Sequence, residues 1–171
     1  MKRILIRQKS LMDCGAACLA SIAAFYSLRI SLKRACEMAG TDERGTSLRG
    51  LLQAAKQMNF EAKCVKAISQ SLDGMPLPAI LHLQSPVGLQ HFVVAYRLEP
   101  DRIHFMDPAV GAIVCEPYTL FNEKWSGIAL LLLPRFSPAV TRASGAKYIC
   151  EGENQSSFPR LPWTFHISSM N

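Results

Sequence analysis

The sequence predicts an α+β domain, on two observations. Residues 14–58 carry apolar side chains at the three- and four-residue spacing of helices. From residue 60 to residue 133, short runs of alternating, β-branched and aromatic residues indicate strands separated by turns. Helices that all precede the strands are typical of α+β proteins. We therefore expect N-terminal helices packed on an antiparallel β-sheet.

Three helices are predicted in the first third of the chain. Residues 14–26 are small and apolar, which indicates a helix packed on most of its sides. Ser31 can cap a second helix, which ends at Gly40. Thr46 or Ser47 can cap a third helix. Its apolar residues recur at helical spacing, at Leu48, Leu51, Leu52, Ala55 and Met58.

Six strands are predicted after the helices. Their ranges are 60–67, 79–83, 91–98, 102–106, 111–115 and 127–133. Pro76 and Pro78 mark the turn before the second strand, and residues 99–101 form a hairpin-like turn between the third and the fourth. The third and fourth strands are therefore expected to be neighbours in the sheet.

The chain is expected to divide into a domain and a tail. Residues 1–134 hold every predicted element, whereas residues 135–171 are rich in Pro, Ser, Thr, Asn and Gly and show no sustained period. With 49% hydrophobic and 19% charged residues, the chain has enough apolar side chains for a core. We expect a domain at 1–134 and an irregular C-terminal tail or linker at 135–171.

Charge and hydropathy argue against a nucleic-acid partner, a signal peptide and a membrane span. The net charge of +6 is not concentrated in a basic run, and no nucleic-acid-binding motif is present, so no nucleic-acid partner is expected. The uncharged stretch 14–28 follows basic residues, as in a signal peptide, but Asp13 interrupts that junction. The stretch is also shorter than the roughly 20 residues that a membrane-spanning helix needs. We expect neither a signal peptide nor a membrane span.

The six cysteines do not suggest a metal site. They lie at positions 14, 18, 36, 64, 115 and 150, without a C-x-x-C pair and without a zinc-like spacing. Most are expected to be free thiols that pack in the core. Cys18 lies among alanines and leucines and is interpreted in this way. No metal or cofactor is therefore expected.

Gln8, Cys14, His91 and Asp107 form a candidate catalytic set. A thiol at a helix N-terminus lies at the positive end of the helix dipole, which favours the nucleophilic thiolate. A histidine can pair with this thiolate and later protonate a leaving amine. An acidic residue on the next strand can orient the imidazole. The Gln8 amide can join the Cys14 backbone N–H as a donor to an oxyanion.

Each of these residues also has a structural explanation. A cysteine in an apolar helix is usually a core residue, and a histidine beside an apolar strand usually has a structural role. Asp107 precedes Pro108 and can simply form a turn. The order of the residues, together with the predicted elements that carry them, favours a cysteine nucleophile.

Residues 8–19, QKSLMDCGAACL, resemble the start of the peptidase domain of bacteriocin-exporting ABC transporters. Those domains are papain-like cysteine peptidases. Further matches follow in order at 45–48 (GTSL), 77–80 (LPAI) with His82, 91–94 (HFVV), 107–109 (DPA) with Gly111, 125–127 (WSG) and 131–134 (LLLP). The resemblance covers about residues 1–134.

This resemblance implies a papain-like cysteine peptidase fold without a cofactor. It implies cleavage of leader peptides after a Gly-Gly motif, coupled to export of a bacteriocin-like peptide by an ABC transporter. Cys14 is then the nucleophile, and His91 the general base and acid. Asp107 orients His91, and Gln8 is the oxyanion-hole donor. His82 matches a histidine that is interpreted as structural.

The resemblance leaves alternatives open. Such domains are usually followed by a membrane-spanning region and an ATPase, but this sequence contains neither a spanning helix nor a G-x-x-x-x-G-K-[ST] loop. The chain is either an excised domain or a free-standing peptidase that serves the membrane and ATPase parts of a transporter in trans. It is expected in the cytoplasm, at the inner face of the bacterial membrane. A catalytically silent substrate-binding module and a Cys-His-Asp acyl transferase remain alternatives.

Overall fold

The computed structural model describes residues 4–67, 72, 74–85 and 88–135. In chain order its elements are α1 (Cys14–Phe25), α2 (Leu32–Ala39), α3 (Leu48–Gln57), β1 (Phe60–Lys66), β2 (Ala79–Gln84), β3 (Gln90–Leu98), β4 (Arg102–Asp107), β5 (Ala112–Pro117), α4 (Tyr118–Lys124) and β6 (Trp125–Pro134). Within these ranges, no helix has the length and apolar character needed to cross a membrane. The predicted tail or linker at 135–171 lies outside the described residues, apart from Arg135.

Helices α2 and α3 begin at their predicted capping residues, and α2 ends at the predicted glycine. Ser31 accepts a hydrogen bond from the Arg34 N–H at the start of α2, and Gly40 ends that helix in the left-handed conformation. Ser47, rather than Thr46, caps α3 by accepting from the Gly50 N–H. In α1 every residue from 14 to 23 is buried, as its small apolar side chains predict.

The strands form a single six-stranded antiparallel sheet in the order β1-β6-β2-β3-β4-β5. The predicted arrangement of N-terminal helices and an antiparallel sheet is confirmed. The short helix α4 was not predicted. It occupies residues 118–124, directly after Pro117, and is followed at once by β6.

The sheet has a hydrophobic core on each face. Side chains along a strand alternate in direction, so the same strand contributes residues to both cores. The helix-facing core contains Leu19, Ile22, Phe92, Val94 and Tyr96. The opposite core contains Val93, Ala95, Phe105, Phe121 and Trp125. Helix α1 packs against β3, and the Cys18 thiol in its second turn donates to the carbonyl of Phe92 near the start of that strand.

Candidate active site

Cys14 is the first residue of α1, and Asp13 occupies the N-cap position. The first backbone N–H groups of a helix have no partner within the helix. An N-cap aspartate usually accepts from one of them, but the Asp13 side chain makes no capping hydrogen bond. The N–H groups of the first turn, including that of Cys14, are therefore not used by this side chain.

Gly15 allows this end of α1 to lie against the sheet. A β-carbon at position 15 would lie 3.0 Å from Thr46 Cβ, 3.1 Å from Phe92 Cδ2 and 3.2 Å from Leu51 Cδ1. These separations are tighter than ordinary van der Waals contacts. The missing side chain therefore lets Cys14, which is only 5% exposed, approach β3 closely.

His91 and Asp107 lie on the paired strands β3 and β4 and are joined by a hydrogen bond. The distance between His91 Nε2 and Asp107 Oδ1 is 2.8 Å. Asp107 Oδ1 also accepts from the Ala109 N–H at 2.9 Å. Because a carboxylate can only accept, Nε2 carries a proton and Nδ1 is the ring nitrogen left for Cys14. Cys14 lies close enough to His91 for its side chain to raise the pKa of the imidazole.

Burial and neighbouring groups shift the pKa values of His91 and Asp107. Burial lowers the pKa of His91, but the hydrogen bonds to Asp107 and Cys14, together with their charges, raise it to about 9. Burial alone would raise the pKa of Asp107. The hydrogen bonds that its carboxylate accepts from His91 and from the backbone N–H groups of Ala109 and Val110 outweigh burial, so the pKa is lowered. The imidazole is thus held in its cationic form at neutral pH.

Gln8 is connected to the same region through its backbone. Its N–H donates to the carbonyl of Pro108, the residue after Asp107, at 3.0 Å. Its side-chain Nε2 donates to the Ser10 carbonyl at 2.8 Å. Oε1 is buried and has no hydrogen-bond partner among the described residues. The Gln8 side chain therefore bonds to its own loop, at Ser10, and not to Cys14 or His91.

The remaining cysteines and histidines have other surroundings. Cys18 is fully buried, and its Sγ donates to the Phe92 carbonyl at 3.3 Å. Burial raises the pKa of the Cys18 thiol well above its ordinary value, as expected for a packing residue. His82 is buried between Ser126 Oγ and Gln90 Oε1, at 2.8 and 3.1 Å. Burial lowers the pKa of His82, which favours the neutral ring.

Two features of the structure were not recognised in the sequence. The Asp13 carboxylate accepts from the backbone N–H groups of Lys9 and Ser10. The only signal of this contact in the sequence was an acidic residue directly before Cys14.

A second cysteine–histidine contact lies on the β4–β5 hairpin, where Cys115 Sγ is 3.7 Å from His104 Nε2. His104 also pairs with Glu99 at 3.1 Å through the same nitrogen. A ring nitrogen shared in this way cannot relay a proton between two partners, so this contact does not reproduce the first.

The family model described as the Peptidase C39 family matches residues 2–137. Among curated proteins, the lactococcin-G-processing and transport ATP-binding protein LagD of Lactococcus lactis is 35% identical over 146 residues, which are 83% of this chain and 20% of LagD. The transport/processing ATP-binding protein ComA of Streptococcus pneumoniae R6 is 32% identical over 126 residues, which are 72% of this chain and 18% of ComA. The chain thus spans about a fifth of the length of these relatives.

Solved structures give the same picture. The peptidase domain of Streptococcus ComA, a bi-functional ABC transporter involved in quorum sensing, is 29% identical with a TM-score of 0.73. The match covers 78% of this chain and all of that domain. A double glycine motif protease from an AMS/PCAT transporter, solved in complex with the leader peptide, is 29% identical with a TM-score of 0.71. Here the match covers 78% of this chain and 92% of the protease.

Proposed function

The chain belongs to the peptidase C39 family, and from this membership we propose that it cleaves leader peptides after a Gly-Gly motif. The papain-like fold that the resemblance implied is confirmed by the solved peptidase domains. Double-glycine cleavage is taken from the protease that was solved with its leader peptide. The observation that carries the proposal is the Asp107–His91 hydrogen bond beside Cys14, which is the first residue of α1.

The reaction proposed for this site begins with the Cys14 thiolate and the His91 imidazolium. Cys14 Sγ attacks the carbonyl carbon of the second glycine, and the carbonyl oxygen becomes an oxyanion. The Cys14 N–H and the Gln8 amide donate hydrogen bonds to this oxygen. When the intermediate collapses, the C–N bond breaks and the leaving amine takes a proton from His91. Asp107 keeps the imidazole oriented through Nε2.

The second half of the reaction regenerates the enzyme. The acyl group remains on Cys14 as a thioester, and neutral His91 removes a proton from the attacking water. The C–S bond then breaks, which releases the leader with a C-terminal carboxylate and restores the thiolate–imidazolium pair. A requirement for glycine on the acyl side is explained by a channel too narrow for a β-carbon.

The relatives also suggest the setting in which the domain acts. Several are named as transport and processing ATP-binding proteins. We propose that this domain acts with the membrane and ATPase parts of an ABC transporter, in cis or in trans, on the cytoplasmic side of the membrane. Residues 1–134 are proposed as the peptidase domain, and residues 135–171 as a tail or linker.

The direct test is cleavage of a synthetic peptide that carries a double-glycine leader, followed by mass spectrometry. The parent protein is expected to produce a leader that ends in Gly-Gly and has a free carboxylate. Cys14→Ala should abolish cleavage because the attacking sulfur is lost. Cys18→Ala removes a thiol one helical turn later, away from the reacting atoms, and should retain cleavage.

Three results would contradict the proposal. Cleavage by Cys14→Ala at the rate of the parent would show that the thiol is not the nucleophile. An amine adduct of the leader in place of the free acid would identify an acyl transferase. Failure of the parent to cleave, combined with tight binding of the leader, would favour a silent binding module.

A further inference from the structure

We propose that Asp13 is a positioning residue that holds the Gln8 carboxamide in place through the backbone of Ser10. This inference rests on the proposed function, because it assigns Gln8 to the oxyanion hole. It concerns a residue that lies next to the nucleophile but has no part in proton transfer. Its effect is transmitted by backbone hydrogen bonds within residues 8–13.

The Asp13 side chain is buried and turned away from the helix that it precedes. Asp13 is 7% exposed, and its carboxylate accepts backbone hydrogen bonds from the loop that precedes the helix. Oδ1 is 3.0 Å from the Ser10 N and 3.2 Å from the Lys9 N, and Oδ2 is also 3.2 Å from the Lys9 N. Burying a carboxylate is costly unless donors compensate for the lost water. These two backbone donors provide that compensation and fix the loop to Asp13.

The same residue of the loop, Ser10, holds Gln8 through its carbonyl. The Ser10 N–H donates to Asp13 Oδ1, and the Ser10 carbonyl accepts from Gln8 Nε2 at 2.8 Å. A carboxamide nitrogen carries two hydrogens. Ser10 takes one of them, which leaves the second for an oxyanion. The direction of that second N–H is therefore set by the position of Ser10, and the position of Ser10 is set by Asp13.

The loop is also attached at both ends. Within it, the Asp13 carboxylate binds the backbone of Lys9 and Ser10, and the Ser10 hydroxyl accepts from the Met12 N–H at 3.2 Å. At one end the Gln8 N–H donates to the Pro108 carbonyl. At the other end the buried Thr46 Oγ1 donates to the Met12 carbonyl at 3.2 Å. Neither of these two attachments involves the backbone of Ser10. Without Asp13, the Ser10 N–H loses its acceptor.

The test compares Asp13→Ala with Asp13→Asn on a double-glycine leader peptide. Alanine removes both acceptors, whereas asparagine keeps an oxygen in the position of Oδ1, which serves both Lys9 and Ser10. Asp13→Ala is expected to lower kcat by about 10- to 100-fold with little change in KM, since misplacing a catalytic group by about 1 Å can cost about 100-fold. Asp13→Asn is expected to recover most of this loss.

A double-mutant cycle with Gln8→Ala separates positioning from a general structural role. If Asp13 acts through Gln8, Asp13→Ala has little further effect on kcat once the carboxamide is gone. Alkylation of Cys14 by iodoacetamide does not use the oxyanion hole and should proceed in Asp13→Ala at the parent rate. Additive losses in the cycle, or slow alkylation in Asp13→Ala, would overturn the proposal.

Backbone amide exchange provides a readout that does not depend on activity. The Lys9 and Ser10 N–H groups should exchange slowly in the parent protein and in Asp13→Asn, and rapidly in Asp13→Ala. Unchanged exchange in Asp13→Ala would disprove the positioning role. If the parent does not cleave the leader peptide, the proposed function fails, and the exchange data still decide whether Asp13 holds this loop.

Discussion

Single residues of the site illustrate what a sequence reveals and what it leaves undetermined. The residue types and their order identified Cys14, His91 and Asp107. The structure joins His91 and Asp107 by a hydrogen bond and places Cys14 near enough to His91 to raise its pKa. Their catalytic roles, and that of Gln8, stay predictions. The direction of the Asp13 side chain could not be predicted, because an aspartate before a helix usually caps it. Its choice of Lys9 and Ser10 depends on how the loop folds back.

The ionisation of His91 leads to a prediction about pH. Burial alone would move its pKa below 6.5, but Asp107 and Cys14 raise the pKa to about 9. The imidazolium is therefore present at neutral pH and is lost as the pH rises through about 9. In Asp107→Asn the carboxylate charge is removed, so the pKa of His91 falls. The alkaline limb of kcat/KM should then move from near pH 9 toward lower pH, with the greatest relative loss of activity above neutrality.

This shift can be measured from kcat/KM between pH 6 and pH 10 with a leader peptide. Asp101→Asn is a matched control, since Asp101 is an exposed aspartate in the turn between β3 and β4. It should leave the alkaline limb unchanged. An Asp107→Asn profile that superimposes on the parent profile would show that Asp107 does not control the charge of His91.

At the scale of secondary-structure elements, most helices and strands were predictable because local signals specify them. Ser31 and Gly40 bound α2, and the change of period after Asn59 marks the first strand. Helix α4 escaped prediction because its seven residues are too few to establish a helical period. Its position depends on Phe121, which packs in the core on the sheet face opposite α1. Tertiary packing, rather than local propensity, therefore stabilises this helix.

Phe121 allows the contribution of α4 to be measured. The residue is fully buried, and its ring centroid lies 5.3 Å from that of Phe105 and 6.4 Å from that of Trp125. Phe121→Ala should lower the free energy of unfolding by about 3–5 kcal/mol, since it leaves a cavity between these rings. Leu120 on the same helix is 51% exposed, and Leu120→Ala should change the free energy by only about 0.5 kcal/mol.

Urea denaturation of the two variants and the parent checks this difference. Equal midpoints for Phe121→Ala and the parent would mean that α4 does not contribute to the core. A large loss in Leu120→Ala would mean that the helix is stabilised through its exposed face. Because α4 and the candidate site lie on different elements, Phe121→Ala should retain cleavage under conditions in which it is folded.

At the scale of the whole molecule, the sheet order could not be read from the sequence. Local turns predict that β3 and β4 are neighbours, and the structure confirms this. No local signal places the last strand, β6, between β1 and β2. This position arises because β6 is apolar along much of its length and its residues Ala129–Leu132 are buried. The sheet therefore depends on β6, which follows the other five strands in the sequence but lies between β1 and β2.

The position of β6 inside the sheet predicts where the chain can be shortened. β6 pairs with β1 as far as Pro134, opposite Phe60, and the Arg135 N–H donates to the Asn59 carbonyl at 2.9 Å. A chain that ends after Arg135 keeps all of these bonds, so it should match the full chain in kcat/KM on a leader peptide and in its urea midpoint. A chain that ends after Ile128 loses most of β6 and exposes both neighbouring strands, so it should not fold. Circular dichroism and cleavage assays on the two shortened chains test this boundary, and loss of folding or cleavage after removal of residues 136–171 alone would show that the peptidase domain extends beyond β6.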